Sequence, residues 1–394
     1  MLKGFKTELR VTKKHIIKIH QSIGVCRFLY NAYLAKNKEL YEMFKNSAID
    51  KKQAFLSAND FDKYINNEVK VLDEFRWINE CGSKARKKAI VNAETAYKRF
   101  FKGESNFPRF KKKKNQDVKI YFPKNNETDW VIQRHRIKIP TLGFVELNEK
   151  GYIPSNAKVV SGTVSMKAGR YYVSVLCEIA DHNNYSDTKD GSEGIGIDQG
   201  IKDLATVSNI NEPFKNINQT KVVRKLKKKL KRLQRQVSRK HEMNKEGKKF
   251  IKTKNIIKLE AQIKTIHQRL SNIRLNYVHN ITNTLVKAKP EYITIEDLNV
   301  SGMMKNRHLA KAIAEQNFNE FRRQLTYKCL WNNIELRVVD RWFPSSKMCS
   351  ECESIKSDLK LSDRTYICKE CGSILDRDKN ASINLKNVQT YKVA

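Results

Sequence analysis

Two short cysteine pairs constrain this chain more than any other feature. Cys349-Ser350-Glu351-Cys352 and Cys368-Lys369-Glu370-Cys371 are separated by fifteen residues. Each CxxC turn aims two thiolates at one point. Two such turns on a short hairpin close a tetrahedral four-sulfur site, which suits Zn²⁺ and leaves no position open for water. A redox CxxC would stand alone, whereas here a second pair lies at ribbon distance. Residues 343–372 therefore read as a structural zinc ribbon with Cys349, Cys352, Cys368 and Cys371 as ligands. The other cysteines, Cys26, Cys81, Cys177 and Cys329, are scattered without a disulfide pattern. They read as ordinary buried thiols in a reducing cytosol.

The chain around the ribbon is strongly basic. Its 394 residues carry 78 Lys and Arg against 42 Asp and Glu, a formal charge of +36. That excess exceeds what solubility needs and points to a polyanion, most simply nucleic acid. A membrane is disfavoured, because no apolar run reaches about 18 residues and no signal peptide opens the chain.

In chain order, residues 1–12 alternate like a strand. Residues 13 to about 101 read as helical, with apolar stripes through Ile17, Ile23, Cys26, Leu29, Tyr30 and Tyr33, and through Ala85, Ala89, Ala93, Ala96 and Phe100. Phe107-Pro108-Arg109-Phe110, where proline breaks the helix, and the run Lys111, Lys112, Lys113, Lys114 follow. Aromatics beside lysines suit base stacking and phosphate contact. Residues 115–180 break into short strands between Gly, Pro and Asn turns, and the spacing suggests a small antiparallel barrel that the first strand completes. Residues 181–193 read as a polar linker.

Residues 194–342 and 373–394 then alternate strands and helices. Residues 221–285 form a helical hairpin, with one stripe at Val222, Leu226, Leu230, Leu233 and Val237 and a second from Leu259 to Tyr277. Lys227, Lys228 and Lys231 lie in a dense basic patch on its first helix, which favours phosphate contact.

Three acidic positions carry the chemistry. Asp198 and Glu296 each end an apolar strand, and Asp376 and Asp378 open a helix five residues and more beyond the last cysteine. Parallel neighbouring strands would bring the first two to one sheet edge, and a helix packed there would bring the third. Converging carboxylates need a divalent cation, and hard oxygen ligands suit Mg²⁺ or Mn²⁺. Two such ions about 3.5–4 Å apart hydrolyse phosphodiesters, the arrangement of an RNase H-like fold. Asp376 and Asp378 cannot face the same way on a helix, so one of them is free to cap it.

With these residues in view, the sequence resembles the TnpB family of transposon-encoded RNA-guided nucleases, relatives of the type V CRISPR effectors. The resemblance rests on GIGIDQGIKDLAT, ITIEDLNVSGM, FPSSKMCSECE, the second CxxC and DRDKNASINL, and on CRFLYNAYL, NFPRFKKKK and AGRYYVSV nearer the front. It implies a wedge-type β-barrel (1–12 and 115–180) interrupted by a helical recognition lobe (13–114), then a RuvC nuclease domain (194–342 and 373–394) with the ribbon inserted. It implies Asp198, Glu296 and Asp378 as the catalytic triad, with Asp376 as the cap. It also implies a transposon-derived guide RNA, a short flanking motif, cleavage of double-stranded DNA, and a monomeric ribonucleoprotein near the nucleoid of a bacterial or archaeal cytoplasm. Glu353 departs from the family, standing where glycine is common after the first CxxC. The alternatives are a nuclease-inactive RNA-guided DNA-binding protein and a transposase that uses no guide.

Overall fold

The computed structural model describes every residue except 47, 51–53, 114–117, 125, 180–192, 248 and 361. Lys114, and the expected linker apart from Glu193, lie outside the described residues. The chain divides into two compact units, Met1–Asn183 and Asn184–Ala394.

The first unit begins with β1 (Leu2–Arg10) and the long helix α1 (Lys13–Lys45). Thr12 starts α1 through a capping box: its hydroxyl accepts from the His15 amide while the His15 ring accepts from the Thr12 amide, both at 3.3 Å. Helices α2 (Ala58–Tyr64) and α3 (Ser83–Phe101) follow. The buried face of α1 runs through Ile19, Ile23, Leu29, Tyr30, Tyr33 and Leu34. Ile17, expected on that stripe, is 58% exposed, because the helical period places Ile19 inward instead. On α3, Tyr97 is buried where Ala96 was expected.

Strands β2 (Lys119–Pro123), β3 (Val131–Ile132), β4 (Arg136–Ile139), β5 (Gly143–Leu147), β6 (Lys158–Lys167) and β7 (Arg170–Glu178) join β1 in one antiparallel sheet of order β2-β6-β7-β1-β5-β4-β3. The expected closed barrel does not form among the described residues, since edge strands β2 and β3 do not pair. Strand β3 has only two residues and cannot seal a ladder. The sheet instead curls far enough for the Trp130 ring to lie on Gly162 of β6, where an added Cβ would sit 2.2 Å from the indole.

The second unit is built on β8 (Ile195–Asp198), β9 (Asp203–Val207) and β10 (Phe214–Lys215). Helix α4 (Lys221–Met243), the small ribbon of β11 (Lys245–Glu246) and β12 (Lys249–Phe250), and helix α5 (Lys254–Lys287) make the hairpin. Its seam is Val223, Leu226, Leu230 and Leu233 against Leu259, Ile263, Ile266, Leu270 and Ile273. The stripe begins at Val223, one residue later than expected; Val222 is 56% exposed.

Strand β13 (Tyr292–Glu296), helices α6 (Val300–Met303), α7 (Ala310–Gln316) and α8 (Phe318–Trp331), and strand β14 (Glu335–Val339) follow. The cysteine ribbon contributes β15 (Thr365–Ile367) and β16 (Ile374–Asp376). Helix α9 (Arg377–Asn387) and β17 (Lys392–Val393) end the chain. The main sheet has order β10-β9-β8-β13-β14-β17. Strands β8, β13 and β14 are parallel, while β9 and β17 run opposite to the strands they flank. No described helix is long and apolar enough to cross a membrane.

Candidate active site: an acidic cluster clasped by a cysteine ribbon

Strand register brings the first two acids together. In the parallel pair β8 and β13, Ile195, Gly196 and Ile197 stand opposite Ile293, Thr294 and Ile295. The next residue on each strand is Asp198 and Glu296, so both carboxylates emerge side by side at the carboxyl end of the sheet, where open α/β sheets place their sites.

Helix α9 delivers the third acid, and Gly196 lets it approach. A Cβ at Gly196 would lie 2.1 Å from the Ser382 carbonyl oxygen and 2.3 Å from the Lys386 amide nitrogen, so only glycine tolerates this backbone contact. Lys379 then fastens the helix start to the far end of β9, donating to the carbonyls of Val207, Ser208 and Ile210 at 3.1, 2.8 and 2.9 Å. Asp376 caps the helix: its Oδ1 accepts from the amides of Asp378 and Lys379 at 3.0 and 3.1 Å. That leaves Asp378 turned toward the sheet.

Asp198 and Glu296 are short of positive charge. Desolvation, then Glu296 and Asp378, hold the Asp198 carboxyl well above its ordinary range, against the opposing pull of Arg377. Burial raises Glu296 as well, moderated by a 2.5 Å hydrogen bond from the Ser345 hydroxyl. Asp378 has cations of its own. Arg377 donates to its Oδ1 through Nε and Nη2 at 3.0 and 2.7 Å, and Arg364 of the ribbon lies 3.6 Å from its other oxygen. Asp297, just after Glu296, is held by Arg322 and Arg341 at 2.5 and 2.9 Å and faces those cations rather than the cluster. Hard oxygen donors that repel one another in a desolvated corner are the chemistry a divalent cation satisfies.

The four cysteines are gathered more tightly. Their Sγ atoms all lie within 4.8 Å of one another. Cys349 and Cys371 are 3.7 Å apart, and Cys352 and Cys368 are 3.5 Å apart, close to the edge of about 3.8 Å in a tetrahedron with 2.3 Å Zn–S bonds. Each knuckle closes on itself, the Cys349 amide donating to Ser354 and the Cys368 amide to Ser373, both at 2.9 Å. The Cys371 amide and the Ser354 hydroxyl draw the Cys368 thiol down to about 6, which favours thiolate. The position after the knuckle takes a positive φ, +73° at Gly372 and +61° at Glu353.

Asn380 and Asn384 join the two centres. Asn380 donates to the Met348 carbonyl at 2.7 Å and accepts from the Ser350 amide at 2.9 Å. Asn384 donates to Ser345 and Met348, both at 2.7 Å. The base of the first knuckle is thus tied to the helix that carries Asp378. Ser345, Gly196, Arg377, Lys379, Asn380 and Asn384 were not singled out from sequence. All lie inside the quoted motifs, and that membership was the available signal.

The basic residues separate into held and free ones. Lys227 forms an ion pair with Glu315 at 2.5 Å, which Arg274 shares at 3.1 Å. This ties α4 to α7, while Lys228 and Lys231 stay exposed. In the first unit, Phe107, Arg109, Phe110, Lys111 and Lys112 line a cleft of about 990 Å³ with Lys38, Lys119 and Tyr121. Phe107 packs edge-on against Tyr97 and Phe100. Lys111 is pinned by backbone bonds to the Asn31 side chain at 2.8 and 3.0 Å, its ammonium 3.7 Å from the centre of the Tyr30 ring. Arg109, Lys112 and Lys113 are exposed.

Three family models match the chain: one described as "Probable transposase" over residues 174–307, a "Cas12f1-like, TNB domain" over 318–385, and a "Helix-turn-helix domain" over 1–46. That last stretch is here a strand and one unbroken helix. A protein of Streptomyces pristinaespiralis, provisionally named an RNA-guided DNA endonuclease, is 29% identical over 97% of this chain and 88% of its own length. The Escherichia coli K12 protein InsQ, named likewise, is 29% identical over 98% of this chain and 91% of its own. The fold matches the protein in a cryo-EM structure of a Cas12f1–sgRNA–target DNA complex with a TM-score of 0.59. The two are 15% identical, over 96% of this chain and 83% of the other. These matches run from the first strand to the last helix and support a TnpB-family protein of an IS605-type transposon.

Proposed function

We propose that this chain is an RNA-guided DNA endonuclease of an IS605-type transposon. In this reading it cuts double-stranded DNA beside a short motif by phosphodiester hydrolysis at Asp198, Glu296 and Asp378. The observation that carries the catalytic part is the β8–β13 register, which sets Asp198 and Glu296 side by side where Asp378 raises the same carboxyl. The order β10-β9-β8-β13-β14 with β9 reversed supports an RNase H-like, RuvC-type domain over 194–342 and 373–394. The curled sheet and helices of the first unit support a wedge (1–12 and 115–180) and a recognition lobe (13–114).

Asp198, Glu296 and Asp378 would hold Mg²⁺ or Mn²⁺, which when bound supplies the charge that lets three carboxylates share one corner and polarises the phosphate. The chain's own groups do the positioning. Ser345 fixes one oxygen of Glu296, leaving the other free. Asp376 and Lys379 hold the first turn of α9, so Asp378 keeps its direction when Arg377 and Arg364 let go of it. The ribbon, loaded with Zn²⁺ at Cys349, Cys352, Cys368 and Cys371, keeps α9 in place through Asn380 and Asn384.

Specificity comes from elsewhere, because phosphate contacts by a +36 chain carry no sequence information. A transposon-derived guide RNA supplies it by base pairing, as in guided effectors generally. The protein works as a monomeric ribonucleoprotein in a bacterial or archaeal cytoplasm, close to the nucleoid. Phe107, Arg109, Phe110, Lys111, Lys112, Lys113, Lys228 and Lys231 are its exposed phosphate and base contacts. Lys111 and Phe107 shape the cleft, and Lys227 stiffens the hairpin. Expression from its native flanking DNA, followed by sequencing of the RNA that co-purifies, tests the guide. One discrete RNA species from the transposon end supports it. A random sample of cellular RNA returns the protein to the unguided transposase reading.

A further inference from the structure

Beyond the nuclease reading, the first unit contains a cysteine pair that composition alone hides. Cys26 of α1 and Cys81, just before α3, are far apart in sequence, yet their sulfurs lie 3.8 Å apart. Cys81 is 1% exposed and Cys26 is half-buried. A second observation concerns the donors around them. Ser22 Oγ and Arg86 Nη1 are buried with no hydrogen-bond partner among the described residues, although Arg86 is only 7% exposed. A buried guanidinium nitrogen without an acceptor is costly, and buried donors normally find acceptors. Cys81 is the neighbour both share. The Cys26 hydrogen bond, Arg86 and Ser22 lower its thiol against the opposing effect of burial, while Cys26 is raised by that same hydrogen bond and by desolvation. Arg86 acts on both sulfurs and Ser22 on Cys81 alone, so Cys81 has more donors around it in the thiolate form.

We propose that Cys26 and Cys81 form a reversible dithiol–disulfide modification site, with Cys81 as attacking thiolate, Cys26 as resolving thiol and a hydroperoxide as oxidant. The Cys81 thiolate attacks one peroxide oxygen, breaking the O–O bond to give a sulfenic acid and hydroxide. The Cys26 sulfur then attacks the sulfenic sulfur, the S–O bond breaks, and water leaves with the Cys26 proton. Two thiols lose two electrons and one hydrogen peroxide becomes two waters. Thiol reductants reverse the bond by exchange. The disulfide would fasten the middle of α1 to the start of α3. It lies about one turn from Tyr30 and Asn31, which hold Lys111.

The test uses the full-length, zinc-loaded protein treated with hydrogen peroxide, blocked with iodoacetamide and mapped as non-reduced peptides, with bound zinc assayed in parallel. The expected result is a Cys26–Cys81 linked peptide that dithiothreitol removes, formed while the zinc is retained. In Cys26→Ser, dimedone should capture Cys81 as sulfenic acid. Arg86→Gln should slow oxidation roughly tenfold by raising the thiol. The proposal is overturned if both thiols stay alkylatable under peroxide that oxidises free cysteine in the same tube. It is also overturned if the link appears only after zinc is lost. The wild-type map decides this even where a variant fails to fold.

Discussion

The cysteine ribbon and the acidic cluster are neighbours assembled by opposite means. The ribbon's cysteines come from one short stretch and are closed by local turns, each knuckle hydrogen-bonded to itself, and the four sulfurs already converge. The acids come from positions 198, 296 and 378 and meet only through strand register, a glycine contact and a helix cap. As they stand, Ser345, Arg377 and Arg364 hold two of the three carboxylates. A locally built site can stabilise a fold by being filled. A globally built one depends on every element that positions it. The dependence should therefore run one way, from ribbon to acids through Asn380 and Asn384, and each of the following variants probes that asymmetry.

The largest effect is expected from Asp198→Ala, Glu296→Ala or Asp378→Ala. Each should lower cleavage by at least about a thousandfold, while zinc content and target binding stay at wild-type levels. Loss of zinc in any of them would break the asymmetry. Cys368→Ser, or chelation, should release one zinc per chain, disorder residues 345–375 and reduce cleavage by about a hundredfold or more through displaced α9. Full activity in a zinc-free preparation would mean that the ribbon does not support the acids.

Gly196→Ala should cost about 3 kcal/mol, since the new Cβ meets backbone rather than a movable side chain. Cleavage should fall with it while the ribbon keeps its zinc. Asp376→Ala should cost about 1 kcal/mol in thermal or urea unfolding and leave substantial cleavage; abolished cutting would exchange the roles of Asp376 and Asp378. The smallest effect lies within the ribbon. Glu353→Gly relieves a non-glycine residue at φ +61° and should tighten zinc retention by about 1 kcal/mol, making the first knuckle match Gly372 in the second.

The same contrast decides what could be read before any coordinates. The convergence of the ribbon's four cysteines was legible because its chemistry is written in adjacent residues. The acids were legible as strand ends and a helix start, but their meeting depended on a parallel register that no local pattern encodes. Asp376 as cap and Asp378 as inward acid followed from helix geometry together with the family pattern. The roles of Lys379 and Asn380 did not follow, because a lysine that binds three carbonyls looks like any solvated lysine in sequence. The barrel was expected from strand spacing, yet a two-residue β3 cannot seal it, and a tryptophan lying on a glycine is invisible to periodicity. Ile17 and Val222 were misplaced for a simpler reason: on a helix with several neighbouring apolar residues, the buried face is chosen by the partner surface. Cys26 and Cys81 were read as unrelated because a long helical excursion separates them in sequence.

Guide replacement tests the central claim most directly. The purified ribonucleoprotein, its bound RNA reprogrammed at the guide portion only, is offered plasmids carrying the old or the new matching site beside the same flanking motif, with Asp198→Ala run in parallel. The account predicts Mg²⁺-dependent double-strand cleavage that moves to the new site, and none with Asp198→Ala, although that variant still binds the new target. Cleavage at a fixed sequence whatever RNA is supplied, or undiminished cutting by Asp198→Ala, would contradict it.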